Sequence, residues 1–170
     1  YYQRVVNDYP ENRSAKYAGG KVKQLDGVGK PFELAFTDAL TGDAVSMDQL
    51  KGKVVVIDFW ATWCGPCVAE VPHMKELYAT YQTKGVEFLG VSLDSPEDQG
   101  GLEKLLNYCK DNEMAWPQYC QGAGWSGEFS VSWGINSIPA IFIVDKKGNL
   151  HSIKARGKLD VLIPELLGIE

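Results

Sequence analysis

Two cysteines, Cys64 and Cys67, lie two residues apart in the stretch FWATWCGPCVAEVP, with Gly65 and Pro66 between them. A pair with this spacing serves in three kinds of site: a structural disulfide, one half of a zinc site, or a pair of thiols that is reversibly oxidised. Four cysteines in 170 residues are too few for a scaffold held together by disulfides. We therefore interpret the cysteines as reactive groups first.

A zinc site needs a second pair of ligands, and the sequence offers none at a suitable spacing. Cys109 and Cys120 are eleven residues apart, and neither His73 nor His151 completes a ligand pattern with them. We predict no metal site. We expect Cys109 and Cys120 to be two separate thiols, with a second disulfide as the alternative, which would suit an oxidising compartment.

The elements on either side of the first pair favour redox chemistry. The run KVVVIDFW, residues 53–60, predicts a buried central strand, and a helix is expected to begin at about Gly65. The unpaired N–H groups and partial positive charge of a helix N-terminus favour a thiolate at Cys64. Cys67 lies one turn into the helix, within reach of a mixed disulfide, and Pro66 suits the first turn. This pattern predicts a dithiol/disulfide site.

Asp58 is a carboxylate inside that apolar strand. Burial disfavours its charged form, so we expect a raised pKa. It stands six residues before Cys64, and we predict that it exchanges a proton with Cys67. The alternative is a structural aspartic acid held neutral by hydrogen bonds in the core.

From residue 31 onward, strands and helices alternate, which predicts an α/β fold with a mixed central sheet flanked by helices. Pro72 is expected to interrupt the first half of the helix after Cys64. The stretch LEKLLNYC predicts a further helix, with Leu102, Leu105, Leu106 and Cys109 on one apolar face. The remaining predicted elements are strands at 32–36, 44–47, 53–60 and 86–93, a hairpin at 138–145 and 149–155, and a helix at 159–168.

Charge and hydropathy exclude some functions and suggest a boundary. The net charge is −5 without a basic stripe, so we expect no nucleic-acid partner. No apolar run approaches the ~20 residues that span a bilayer, and the polar N-terminus shows no secretory signal. Residues 1–30 hold six basic and three acidic residues, whereas the rest is acidic. This shift predicts a helical extension and linker, 1–30, before a main domain, 31–170.

The extension resembles the end of a tetratricopeptide-type repeat, with a Tyr/Val helix ending in DYP and a second helix spaced by Ala15, Ala18 and Val22. Such repeats need neighbours to bury their apolar face. The resemblance implies a larger parent protein and a protein contact through residues 1–24. A helical extension that packs on the main domain is the alternative.

The main domain resembles the thioredoxin fold, because VVVIDFWATWCGPC is similar to its active-site segment and SIPA to its proline loop. The early hairpin, 31–47, and the insertion with an extra helix between VSLDSPED and SIPA are similar to the TlpA/ResA-like branch of thiol–disulfide oxidoreductases. This resemblance implies that Cys64 is the nucleophile and Cys67 the resolving cysteine. It also implies a cis Pro139 facing the pair, with the backbone of Ile138 offered to an extended substrate.

Further site residues follow from position and from this resemblance. Trp63 is expected to form an apolar rim for the substrate, with Gly65 and Pro66 beside it, and Trp60 to pack beneath it. Asp94 ends the neighbouring strand and is a further candidate to assist the thiols. The stretch GAGWSG, 122–127, has the glycine spacing of a dinucleotide site but opens no helix after a strong strand, so we interpret it as an insertion loop.

The expected function is thiol–disulfide exchange with protein substrates, in the reducing direction rather than the oxidising one. We expect a monomeric domain that receives electrons from an unidentified donor and needs no cofactor. The resemblance implies an extracytoplasmic location. One alternative is a thiol peroxidase, since GVSLDSPED resembles a peroxiredoxin strand and loop. However, Thr62 lies two residues before Cys64 rather than three, and Cys67 favours disulfide exchange. Another alternative is a non-catalytic interaction module.

Overall fold

The five-stranded central sheet is mixed, as the alternation of elements predicts. In the computed structural model, which describes residues 2–8, 12–96 and 100–169, the strand order is β5-β4-β3-β6-β7. Strand β4 is parallel to β3 and β5, and β6 is antiparallel to β3 and β7. The strands are β3 Val54–Trp60, β4 Val86–Ser92, β5 Gln118–Cys120, β6 Ala140–Val144 and β7 Leu150–Ser152.

The other elements surround this sheet. The predicted early hairpin is a separate two-stranded sheet of β1 Ala35–Thr37 and β2 Ala44–Ser46. None of the helices in the described ranges combines the length and the apolar character that crossing a bilayer requires. The helices are α1 Tyr2–Asp8, α2 Arg13–Gly27, α3 Gly65–Tyr81, α4 Gly101–Asp111, α5 Glu128–Ser132 and α6 Leu159–Leu167. Residues 9 and 10 of the DYP motif and residues 97–99 of the insertion lie outside the described residues.

Two details of the predicted helices are wrong. Helix α3 continues through Pro72 without interruption, because Val71, Met74 and Leu77 are buried and keep the helix against the core despite the lost backbone hydrogen bond. In α4, Leu105 and Cys109 are buried as predicted, but Leu102 is 48% exposed, at the second residue of the helix.

The centre of the core is β3, in which every residue except Asp58 is buried. Phe59 and Trp60 are its largest side chains. The buried indole of Trp60 is tolerated because its Nε1–H donates to the side-chain oxygen of Gln118 at 3.0 Å. Trp60 is thus a packing residue, as the sequence predicts.

Helix α2 is attached to the segment that contains α5. The backbone of Gly20 lies directly against that of Gly134, which has a φ of +60°. The amide of Gln24 donates to the carbonyl of Trp133, and the hydroxyl of Tyr17 donates to the carbonyl of Trp125 at 2.7 Å. The absence of a side chain at residue 20 therefore sets how closely α2 approaches the main domain.

Replacing Gly20 by Ala should separate these two backbones. A Cβ at residue 20 would lie 2.5 Å from the Cα of Gly134 and 2.8 Å from the carbonyl oxygen of Val131. We expect Gly20→Ala to lower the free energy of unfolding in urea by about 2 kcal/mol or more, because backbone cannot move aside like a side chain.

Gly19→Ala is the matched control in the same helix. Its Cβ would meet only Val6 Cγ2, at 3.8 Å. Alanine has a helix propensity better than that of glycine, so this variant should be neutral or more stable by about 0.5–1 kcal/mol. Equal effects of the two substitutions would contradict the proposed tight contact.

Candidate active site

Cys64 lies where β3 leads into α3, as the sequence predicts. It is the N-cap residue of α3, and its Sγ accepts a hydrogen bond from the backbone N–H of Cys67 at 3.3 Å. The two residues form a disulfide with a Cα–Cα distance of 5.2 Å. Pro66 lies in the first turn of α3, where its missing N–H has no intrahelical partner to lose. When the disulfide is reduced, the free N–H groups of this turn stabilise a negative charge on Cys64.

Both cysteines are recessed beneath more exposed neighbours. Cys64 is 5% exposed and Cys67 is 4% exposed, whereas Trp63 is 37% exposed. Gly65 and Pro66 are also exposed. The residues predicted to contact substrate, Trp63, Gly65 and Pro66, are therefore the exposed surface beside the disulfide.

Asp94 holds the loop that precedes Cys64. Its buried carboxylate accepts hydrogen bonds from the backbone N–H of Thr62 at 3.1 and 3.2 Å and from the Thr62 hydroxyl at 2.5 Å. The hydroxyl of Ser92 donates to the same carboxylate at 2.7 Å. These contacts of Asp94 fix the position of Thr62, two residues before Cys64, whereas its assistance to the thiols stays a prediction.

The proline loop reaches the same edge of the sheet. The Ile138–Pro139 peptide bond is cis, as the resemblance implies. In the antiparallel register, Ala140 pairs with Phe59, so Pro139 falls beside the end of β3, from which the chain continues to Cys64. Ile138 and Pro139 are half-buried and leave part of their surface open.

Asp58 has the raised pKa that the sequence predicts. It lies in β3 opposite Gly90 of β4 and Ile141 of β6. The pKa of Asp58 is raised to about 7, firstly by burial and secondly by the negative charge of Glu70, whereas the positive charge of Arg156 acts to lower it. Glu70 and Arg156 themselves form an ion pair, with Arg156 Nη2 2.6 Å from Glu70 Oε1.

Three residues of the site region were missed from the sequence: Glu70, Trp125 and Arg156. Glu70 could have been found, because it stands one helical turn after Cys67 and so projects from a similar face of α3. Arg156 is 86 residues from its partner, and no local pattern links the two. Trp125 lies in the glycine-rich stretch expected to be a loop. It belongs to a short 3-10 turn, Gly124–Ser126, and its ring lies 6.0 Å from that of Trp63.

The other two cysteines are separate thiols, as predicted. Cys109 is buried, and this burial raises the pKa of its thiol to about 12. Cys120 is half-buried, with its sulfur 4.0 Å from the carbonyl oxygen of Asp94. Within the described ranges, no three His, Cys, Asp or Glu side chains are arranged to hold a metal ion.

Comparison with known proteins identifies a matching family and several similar proteins. The AhpC/TSA family matches residues 28–153. Among proteins similar in sequence are the thiol-disulfide oxidoreductases ResA of Oceanobacillus iheyensis, 42% identical over 135 residues, and of Bacillus thuringiensis subsp. konkukian, 32% identical over 123 residues. The matches cover 78% and 72% of this chain, respectively. The chain spans 66% of the length of each of these relatives, slightly less than two thirds.

Solved structures with a similar fold come from other bacteria. The thioredoxin domain of a thiol-disulfide oxidoreductase from Bacteroides vulgatus is 29% identical, with a TM-score of 0.57, and the match covers 70% of this chain and 81% of that one. A thiol:disulfide interchange protein of the thioredoxin family from Chlorobium tepidum is 25% identical, with a TM-score of 0.66 and coverage of 81% and 95%. The predicted α/β architecture, a mixed sheet flanked by helices, is therefore confirmed as a thioredoxin fold.

The raised pKa of Asp58 predicts a stability that depends on pH. Between about pH 4 and pH 7, the folded state keeps a proton on Asp58 that the unfolded state has released, so stability falls as the pH rises through this window. With the disulfide intact, the wild type should lose roughly 2–3 kcal/mol of unfolding free energy between about pH 5 and pH 8 that Asp58→Asn does not lose. Urea unfolding at both pH values measures this difference. Parallel losses in the two proteins would show that Asp58 has an ordinary pKa.

Proposed function

The chain belongs to the AhpC/TSA family, and on that premise we propose that it is a thiol–disulfide oxidoreductase acting on proteins through Cys64 and Cys67. The observation that carries the proposal is the disulfide between these residues at the N-terminus of α3. The same two sulfurs can alternate between dithiol and disulfide without further rearrangement of the chain, because they are already within bonding distance.

The exchange takes two steps. The Cys64 thiolate attacks one sulfur of a substrate disulfide, which forms a mixed disulfide and releases the other substrate sulfur as a thiolate. The Cys67 thiol then loses its proton and attacks Cys64 Sγ, which releases the second substrate thiol and leaves the Cys64–Cys67 disulfide. The substrate gains two electrons, and a separate dithiol donor must return two electrons before the next cycle.

Asp58 is the proposed proton acceptor for Cys67. A pKa of about 7 suits this role, since a base with a pKa near the working pH both binds and releases a proton readily. The charge pair Glu70 and Arg156 adjusts that pKa from opposite directions. Asp94 is proposed to act as a positioning residue, because its contacts are with Thr62 and Ser92.

The substrate is proposed to dock on the surface around the recessed disulfide. Trp63 and Trp125 provide an apolar wall on one side, and exposed Gly65 and Pro66 leave the approach to Cys64 open. Ile138 offers backbone groups to an extended substrate segment, next to Pro139. This arrangement suits a flexible polypeptide better than a compact folded surface.

The peroxidase alternative is less well supported. The hydroxyl of Thr62, the residue weighed for that role, donates to Asp94. The partner of Cys64 is Cys67. A disulfide within four residues gives the nucleophile an immediate resolving thiol, which is what exchange with a protein disulfide requires.

Further aspects of the function extend the same proposal. We propose that the domain works as a monomer and in the reducing direction, in an extracytoplasmic compartment, as the resemblance to the TlpA/ResA-like branch implies. The division into an extension, 1–30, and a main domain, 31–170, remains a prediction, as does the tetratricopeptide-like origin of the extension. Contact with a partner protein through residues 1–24 also remains a prediction.

The serine variants of the two cysteines should differ in whether they trap a covalent adduct with a substrate. Cys67→Ser should accumulate a covalent adduct with a disulfide-containing substrate such as insulin, because Cys64 still attacks and no thiol resolves the product. Cys64→Ser should form no adduct. Non-reducing electrophoresis with mass spectrometry measures both outcomes.

Cys109→Ser and Cys120→Ser are the matched controls and should reduce insulin at close to the wild-type rate. An adduct on Cys67 in the Cys64→Ser variant, at a rate similar to that of Cys64, would reverse the assigned roles. Rapid peroxide turnover without insulin reduction would replace the proposal by the peroxidase alternative.

Removing either charge of the pair near Asp58 should shift the pH–rate profile of mixed-disulfide resolution, and the two substitutions should shift it in opposite directions. Glu70→Gln removes a charge that raises the pKa of Asp58, so the midpoint of the pH–rate profile should fall by roughly half a pH unit or more. Arg156→Gln should raise it by a similar amount, and Asp58→Asn should slow resolution and remove this midpoint. Stopped-flow measurement of mixed-disulfide decay between about pH 5.5 and pH 9 follows the change.

Glu76→Gln on the same helix is the control, because Glu76 is exposed and is not among the charges that shift the pKa of Asp58. If Glu70→Gln and Arg156→Gln move the midpoint in the same direction, Asp58 is not the group whose titration limits resolution.

A further inference from the structure

A groove of about 420 Å³ lies against the proline loop, on the side of the N-terminal helix α2. Pro139 and the exposed polar residues Asn136 and Ser137 line it. Its floor is apolar and includes Ile141 and Phe142 of β6. Helix α2 contributes Lys21 and Gln24 to the lining. The groove is therefore continuous with the loop proposed to dock the substrate backbone.

The rim of this groove is cationic. Lys21, Lys154, Arg156 and Lys158 line it, and none of the lining residues within the described ranges is Asp or Glu. This concentration of positive charge contrasts with the net charge of −5 for the chain. Charges gathered along one cleft raise the local concentration of ligands with the opposite sign.

Most of this charge is not neutralised by the protein. Arg156 pairs with Glu70, but in the described part of the chain neither Lys154 nor Lys158 forms a salt bridge, and both are exposed. Lys21 is half-buried, and among the described residues its ammonium donates a hydrogen bond to the side-chain oxygen of Gln24 alone, at 3.4 Å. Burial lowers the pKa of Lys21, which means that its charge is held at a cost that a bound carboxylate would reduce.

We propose that this groove binds an acidic segment of the polypeptide substrate, next to the cysteine that exchanges with Cys64. The inference rests on the proposed function, because that function brings an extended chain to Pro139. A segment that continues past Pro139 enters the groove, where its apolar side chains meet the floor and its carboxylates meet Lys21, Lys154 and Lys158. A polypeptide fits better than a small anion, because the groove includes Pro139 of the docking loop and combines apolar lining residues with separate cations.

The test uses binding of a peptide that cannot exchange. Two fluorescent peptides of about ten residues carry a central serine in place of cysteine and differ only in having Glu or Gln at the flanking positions. The full chain should bind the Glu peptide about three- to tenfold more tightly than the Gln peptide, as expected for two or three exposed ion pairs. The preference should disappear in about 0.5 M salt, which screens charges beyond a few ångströms.

The double variant Lys154→Gln/Lys158→Gln should lose most of this preference and retain its affinity for the Gln peptide. Lys110→Gln/Lys147→Gln removes the same charge from residues outside the groove and should bind like the wild type. Arg156 is left intact because its positive charge also lowers the pKa of Asp58. Circular dichroism and urea unfolding check that both double variants are folded.

The same peptides with cysteine, oxidised to a mixed disulfide, separate this proposal from the proposed function. If wild type binds the Glu serine peptide preferentially but exchanges neither cysteine peptide, the groove is retained and the oxidoreductase function fails. If exchange occurs at equal rates with both peptides and binding shows no preference, the groove proposal is overturned. Equal losses in the two double variants would also overturn it, since the effect would then come from net charge.

Discussion

The need to pair the backbone of a buried strand determines where the reactive residues meet. Strand β3 is almost completely buried, and peptide groups removed from water must find hydrogen-bond partners. Strand β4 pairs with Val54–Trp60 on one edge, and β6 pairs with Val55–Phe59 on the other. These registers bring Asp94, after β4, and Pro139, before β6, to the end of β3. Cys64 follows that end by four residues, so three distant parts of the sequence meet at the same end of the central strands.

The sequence predicts the parts of this arrangement that depend on neighbouring residues. The position of Cys64 at a strand–helix junction follows from a local apolar run and a helix start, and the structure confirms it. The raised pKa of Asp58 follows from its apolar surroundings within one strand. Strand β5, with three residues, and α5, with five, were not predicted, because elements this short carry little periodicity and exist through tertiary contacts.

Local sequence patterns could not predict the contacts between residues that are far apart in the sequence. Arg156 reaches the site through its ion pair with Glu70, and Trp125 reaches it through Trp63. Trp125 also accepts a hydrogen bond from Tyr17, so a residue of the N-terminal helix α2 contacts the wall beside the disulfide. The prediction that Pro72 interrupts α3 was wrong because it rested on the local preference of proline alone. Tertiary burial of its neighbours outweighed a local preference.

The recessed position of the two sulfurs has a consequence for the choice of target. Displacement at a disulfide requires the attacking sulfur to approach close to the bond axis, and Cys64 lies below the surface set by Trp63, Gly65 and Pro66. Under the proposed function, a target disulfide must therefore project from its own protein to make contact. Disulfides in loosely structured chains meet this condition, whereas those packed inside a finished fold do not. In the proposed exchange reaction, the depth of Cys64 would therefore make the rate depend on how far the target has folded, and it would favour chains that have not completed folding.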